Sequence, residues 1–177
     1  MSHIDHRTHA ERQIDAITCA VLTISDTRTF ADDRGGQFAV QALQEAGHQV
    51  HGYTIVRDEP TDVIATIEGW ILADVRVIIT TGGTGISRRD TTIDAIEPQL
   101  TRILPGFGEI FRMLSYEHVG AAAMLSRALA GTWGTTLVFC LPGSPNAVDL
   151  ALTKLIVPEL RHLVWETLRH GSAPQKG

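Results

Sequence analysis

The sequence predicts an α/β domain built on a mostly parallel central sheet, and three observations carry that expectation. Apolar runs without alternation, such as Ala20-Val21-Leu22 and Val77-Ile78-Ile79, suit strands covered by helices on both faces. Segments whose apolar residues recur at helical spacing separate those runs. Each run then ends in glycines, hydroxyls or carboxylates, which is where open α/β sheets hold their ligands.

Taken in order, residues 17–24 read as the first strand, closed by Ser25-Asp26-Thr27-Arg28. Asp32-Asp33-Arg34-Gly35-Gly36 leads into a helix with the stripe Phe38, Ala39, Ala42, Leu43 and Ala46, ended by Gly47. Val50 to Val56 supplies the next strand, and a β-α-β opening favours a right-handed crossover and a parallel pair. Arg57-Asp58-Glu59-Pro60 ends that strand, after which a helix from about Thr61 through Ala73 turns Val63, Ile64, Ile67 and Ile71 toward the sheet. The Ile78 strand follows. Glu97-Pro98 and Leu104-Pro105-Gly106-Phe107-Gly108 punctuate the middle, and a helical region between Gly106 and Arg127 is interrupted by Gly120. Within it Glu109 and Arg112, three apart, read as a surface pair or as groups turned toward a pocket. Ser126 to Gly131 offers a hydroxyl and an arginine, either for packing and capping or for the site. Thr136 to Leu141 is the last clear strand; Pro142-Gly143-Ser144-Pro145-Asn146 then opens a helix near Ala147, and Leu152 to Leu168 closes the chain with one helix or two, interrupted near Pro158.

Composition bounds the function classes. A chain of 177 residues with 44% hydrophobic residues supports one well-cored domain. With 15 basic against 20 acidic residues, its charge implies no broad nucleic-acid face. Cys19 and Cys140 lie in apolar runs without metal-ligand spacing, as buried thiols of a reducing compartment do. No stretch is apolar enough to cross a bilayer and the start lacks a signal-peptide core, so a cytoplasmic location is expected. His3, His6 and His9 recur every three residues in a polar segment that either frays or captures metal. The expected organisation is a flexible segment over 1–14, one domain over 15–168 and a flexible tail over 169–177.

The most informative stretch is Thr80-Thr81-Gly82-Gly83-Thr84-Gly85-Ile86-Ser87-Arg88-Arg89-Asp90. Gly82, Gly83 and Gly85 allow positive φ and close approach of backbone N–H groups to an anion. Thr80, Thr81, Thr84 and Ser87 add hydroxyls, and Arg88 or Arg89 offsets phosphate charge. No lysine precedes a Ser or Thr as in a phosphate-binding Walker loop, which argues against a P-loop GTPase. Asp90 either caps the helix starting near Thr91, pairs with Arg89, or helps hold a magnesium ion against phosphate oxygens. Asp26, Asp58 and Asp90 stand at three strand ends that the topology gathers at one edge, although charges after strands are also commonly just solvated. Gly143 with Ser144 or Asn146 either meets an anion or caps the helix.

Together, Thr80-Thr81-Gly82-Gly83-Thr84-Gly85 with Arg89-Asp90 and Thr92, Pro105-Gly106-Phe107 with Glu109 and Arg112, Ser126-Arg127-Ala128, and Leu141-Pro142-Gly143-Ser144-Pro145 resemble the molybdenum cofactor biosynthesis family that includes MoaB and MogA proteins and the G domain of eukaryotic molybdenum insertases. The likeness spans residues 15 to 168 and leans toward MoaB through Phe111 to Tyr116 and the Ser126-Arg127-Ala128 run. It implies a three-layer α/β/α sandwich assembled as a trimer or a dimer of trimers. It also implies molybdopterin binding and, in active members, transfer of the adenylyl group of magnesium ATP to molybdopterin, with pyrophosphate released; the alternative is a molybdopterin carrier or scaffold. On this resemblance Asp58 and Asp90 would act catalytically and hold Mg2+. Thr81, Gly82, Gly83, Thr84, Gly85, Ser87, Arg89, Ser126, Gly143 and Ser144 would line the ligand site. A molybdenum insertase is an implied partner, and neither nucleic acid nor membrane is.

Overall fold

In chain order the elements are β1 (Thr18–Ile24), α1 (Arg34–Glu45), β2 (Gln49–Val56), α2 (Pro60–Leu72), β3 (Val77–Thr81), α3 (Thr92–Ile96), β4 (Arg102–Ile103), α4 (Pro105–Val119), β5 (Leu129–Trp133), β6 (Thr136–Leu141), α5 (Pro145–Ala151) and α6 (Val157–Leu168). They come from a computed structural model that describes residues 14–168. The expected loose segments, apart from Ile14, and His3, His6 and His9 lie outside the described residues.

The six strands lie in the order β2-β1-β3-β6-β5-β4. The first four are mutually parallel, and β5 and β4 are antiparallel additions at one edge. The unalternating runs are explained by burial on both faces. Cys19 and Val21 of β1, Val77 and Ile79 of β3, and Leu137, Phe139 and Leu141 of β6 join one core, completed by α1, α5, α6 and Phe111 of α4. Their neighbours Ala20, Leu22, Ile24, Ile78, Val138 and Cys140 join the other, completed by Val63 and Ile67 of α2 and by Ile93 and Ile96 of α3. The period of two sends successive apolar side chains to opposite layers, so the expected three-layer α/β/α sandwich is the architecture observed.

Two elements differ from expectation. Residues 129–133, read as packing or capping, form β5, which pairs along β6 and carries β4 on its other edge. The closing segment is also not broken at Pro158: Leu152–Ile156 widens into a π-turn just before it. A proline ring clashes with the carbonyl four residues back, and local widening is a way for a helix to absorb that conflict without stopping.

Cys19 and Cys140 are both free and fully buried. Burial pushes each thiol up to about 12, so almost no thiolate exists near pH 8 and the nucleophilic form is absent. Neither cysteine should therefore react with iodoacetamide at pH 8 over hours in the native protein, whereas both should label in urea; mass spectrometry of native and unfolded samples checks this.

Candidate functional site

The chain runs from β1 out to β2 and then crosses to β3 on the other side of β1, so the strand order reverses between β1 and β3. Such a switch point opens a crevice beyond the carboxyl ends of the strands. The glycine turn leaves β3 into that crevice. Gly82 and Gly83 have φ of +103° and +62°, a region that side chains with a Cβ rarely enter. The Gly82 N–H donates to the Leu141 carbonyl at 2.9 Å. A Cβ on Gly143 would lie 3.3 Å from the Gly82 Cα, so the two glycine turns read from the sequence are in contact. Among the described residues, no protein group accepts a hydrogen bond from the backbone N–H of Gly83, Thr84, Gly85 or Ile86. Four successive donors without protein partners, at the carboxyl ends of the strands, are a chemistry suited to an anion.

Both predicted aspartates reach this turn. The Thr91 hydroxyl donates to Asp58 Oδ1 at 2.9 Å, and Asp58 Oδ2 would lie 2.9 Å from a Cβ built on Gly83. Asp90 Oδ2 accepts the Ser87 N–H at 2.8 Å and would lie 2.7 Å from a Cβ built on Gly85. Asp90 thus neither caps α3 nor pairs with Arg89; it closes its own loop. Arg89 pairs instead with Asp26, whose other oxygen accepts the Asp58 N–H at 3.4 Å. Asp26 and Asp58, two of the three strand-end aspartates expected at one edge, are therefore linked there, and Asp90 follows Arg89 in the loop that pairs with Asp26. Among the described residues no group of three or more His, Cys, Asp or Glu is arranged to hold a metal. Asp58 Oδ2 and Asp90 Oδ1 nevertheless have no hydrogen-bonding partner among the described residues. Two hard carboxylate oxygens beside an anion cradle fit magnesium, which takes one or two carboxylates and completes its shell with water and substrate phosphate.

Beneath the turn lies a polar layer that sequence reading missed. Asp33, which caps α1 by accepting the Gly36 N–H at 3.1 Å, is fully buried. Its carboxylate also accepts from the Thr23 hydroxyl, from Tyr53 at 2.6 Å and from Arg28 at 3.4 Å. Burial, together with the hydrogen bond to Asp33, pushes the Tyr53 phenol above its ordinary range. Arg28 spans onward to the Gly143 carbonyl at 2.7 Å. Thr81, expected to offer its hydroxyl to a ligand, instead turns it inward within 3.3 Å of the Thr23 hydroxyl, because the last β3 position is covered on both faces. Thr84 is likewise buried. The Asp-x-x-Gly approach to α1 signals the cap, but nothing in the sequence points to Tyr53 or Gly143 as partners.

The remaining predicted residues divide between two places. Ser87 Oγ accepts the Arg89 N–H at 3.4 Å inside the exposed loop. Ser144 caps α5 through the Ala147 N–H at 3.3 Å, and Ser126 Oγ accepts the Ala128 N–H at 3.3 Å. Ser126 and Ser144 also line a cleft of about 710 Å³ between α4 and α5, walled by Phe111, Val119, Leu150 and Lys154. That cleft begins beside the glycine turns but includes no residue of the Gly82–Asp90 loop. Arg112 turns inward to the Ser126 and Ala128 carbonyls at 3.4 and 3.2 Å rather than pairing with Glu109.

Residues 20–162 match the family model described as a probable molybdopterin binding domain. The chain belongs to the MoaB/MogA family of molybdenum cofactor biosynthesis proteins. Among MoaB relatives, molybdenum cofactor biosynthesis protein B of Staphylococcus aureus is 54% identical over 153 residues, covering 85% of this chain and 91% of that protein. The protein of the same name from Bacillus cereus is 47% identical over 171 residues, covering 96% and 99%. A crystal structure of a molybdenum cofactor biosynthesis protein B superposes with a TM-score of 0.84 at 48% identity, covering 89% of this chain and 99% of that one. The tungsten cofactor synthesizing protein MoaB of Pyrococcus furiosus follows the same fold with a TM-score of 0.79 at 36% identity, covering 87% and 98%.

Proposed function

We propose that this chain adenylylates molybdopterin in a magnesium- and ATP-dependent reaction. The observation that carries the reading is the run of free N–H groups from Gly83 to Ile86 with the Asp58 and Asp90 carboxylates beside it, at the switch point of the sheet. A terminal phosphate oxygen of molybdopterin attacks the α-phosphorus of ATP. The new P–O bond gives adenylyl-molybdopterin as the bond to pyrophosphate breaks, and the electron pair leaves with pyrophosphate. No protein nucleophile is required, so the chain contributes positioning and electrostatics. The loop N–H groups hold phosphate oxygens, and Arg88 adds positive charge at the rim. Asp58 and Asp90 would hold magnesium, which supplies charge to the transferring and leaving phosphates. Purified protein incubated with molybdopterin and magnesium ATP should yield pyrophosphate and an adenylylated pterin; absence of both, under conditions where an active relative turns over, would reject the reading.

Asp90→Asn provides a sharper test. The amide oxygen still accepts the Ser87 N–H, so the loop stays closed and the unfolding free energy should move by no more than about 0.5 kcal/mol. The charge is lost, and turnover at limiting magnesium should fall by about 10²-fold, the scale of one preorganised electrostatic contact.

A carrier reading is favoured by the description of the family model, which goes no further than molybdopterin binding. Tight pterin binding with no magnesium-dependent ATP binding would establish it. Under either reading we assign the chain to a homo-oligomer, a trimer or a dimer of trimers, with exposed Ile110 and Met113 on α4 and Met124 and Leu125 after it as contact residues. A cytoplasmic setting and hand-over to a molybdenum insertase complete the proposal. No described helix is long and apolar enough to cross a membrane.

A further inference from the structure

We infer that Arg127 is a positioning residue that sets the direction of the anion-binding amides, an inference that rests on reading the glycine loop as an anion cradle. Arg127 enters from the segment before β5 and engages both ends of the loop. Its backbone N–H donates to the Thr84 carbonyl at 3.1 Å. Its Nε donates to the Gly85 carbonyl at 2.8 Å and one Nη to the Asp90 carbonyl at 2.6 Å. The other Nη meets both oxygens of Asp94 at 3.0 Å. The guanidinium is thereby committed to protein acceptors and its charge is paired with Asp94, so Arg127 is not the cation that meets a ligand phosphate.

Its influence passes through peptide geometry. All peptide bonds of the described residues are trans, and in a planar trans peptide the carbonyl and the following N–H point in opposite directions. Holding the Thr84 and Gly85 carbonyls toward Arg127 therefore turns the N–H groups of Gly85 and Ile86 away from it, onto the open side of the loop. Holding the Asp90 carbonyl anchors the far end, where the Asp90 side chain folds back on Ser87. A lysine would keep the charge, but its single ammonium is a point donor that lacks the rigid fork needed to span carbonyls five residues apart.

The test is a titration of the full-length 15N-labelled protein with inorganic pyrophosphate, following the backbone amides of Gly83 to Ile86 and, in parallel, urea unfolding. Wild type should show saturable shifts at Gly85 and Ile86. Arg127→Ala should weaken pyrophosphate binding at least tenfold, Arg127→Lys should fail to restore it, and Asp94→Asn, which leaves the carbonyl contacts in place, should stay within threefold of wild type. If alanine prevents folding, the lysine variant decides the question alone. Unmoved Gly85 and Ile86 amides in wild type, or wild-type affinity in Arg127→Lys, would overturn the inference, as would a variant that loses stability while keeping its affinity. Saturable amide shifts in a protein that forms no adenylylated pterin would sink the proposed transfer reaction while leaving Arg127 assigned.

Discussion

Asp33→Ala is expected to cost on the order of 4 kcal/mol of folding stability. The α1 cap is worth about 1 kcal/mol, and truncation takes the carboxylate acceptor from the buried Thr23 hydroxyl, at about 1–3 kcal/mol, and from the half-buried Tyr53 hydroxyl, at about 1 kcal/mol. Arg28 adds less, because its side chain is 31% exposed and water can solvate the freed guanidinium. Single domains are stable by only about 5–15 kcal/mol, so such a loss consumes a large part of the total. Asp33→Asn separates the components: it keeps an oxygen for the Gly36 N–H but sets an NH2 against the Thr23 and Tyr53 donors, at about half the cost of alanine. Tyr53→Phe removes one donor together with its hydrogen and should cost only about 1 kcal/mol. Urea unfolding of the three variants checks the order; an alanine variant no less stable than Tyr53→Phe would mean that the Asp33 network is not the anchor of this edge. The consequence reaches the site, because Arg28 leaves Asp33 for the Gly143 carbonyl, and Gly143 lies against Gly82.

What the sequence made legible follows from where each partner lies. β1, β3 and β6 could be read because central strands buried on both faces must be continuously apolar, and Thr136 to Leu141 coincides with the observed strand. Gly47 and Gly120 mark helix ends for a local reason, positive φ. β5 was hidden because Ala130 and Gly131 are poor strand formers, and tertiary contact requires them small: a Cβ on Gly131 would strike the Arg102 carbonyl of β4. Within the site, the glycines and strand-end aspartates could be read because each residue type announces its chemistry. The roles of Arg28 and Arg127 could not. Arg127 acts on a carbonyl 42 residues away and Arg28 on one 115 residues away; every residue carries a carbonyl, so the acceptor leaves no mark on residue type.

Gly82→Ala should be a strongly damaging single-methyl addition to the glycine turn. Two costs add there. The φ of +103° is unfavourable for any residue with a Cβ, at about 1–3 kcal/mol. The new methyl would also overlap the Ile24 carbonyl oxygen. Ile24 cannot recede, because it is paired in the sheet with Val56 and its side chain is buried in the core, so the loop must move, at an overpacking cost of about 1–3 kcal/mol. Gly134→Ala shows a positive-φ cost without a clash: its φ is +61°, yet nothing lies within 4 Å of the added methyl, and about 1–2 kcal/mol is expected. The difference between the two variants therefore reports the clash together with the less favourable φ of Gly82. Displacing the turn breaks the Gly82 N–H bond to Leu141 and carries the Gly83 to Ile86 amides with it. A misplacement of about 1 Å is enough to cost about 10²-fold in turnover, so Gly82→Ala should lose adenylyl transfer and pyrophosphate binding together, while Gly134→Ala retains both. Equal stability and equal pyrophosphate affinity in the two variants would show that the turn is free to relax, and a cradle that relaxes so readily would not hold phosphate in line for attack.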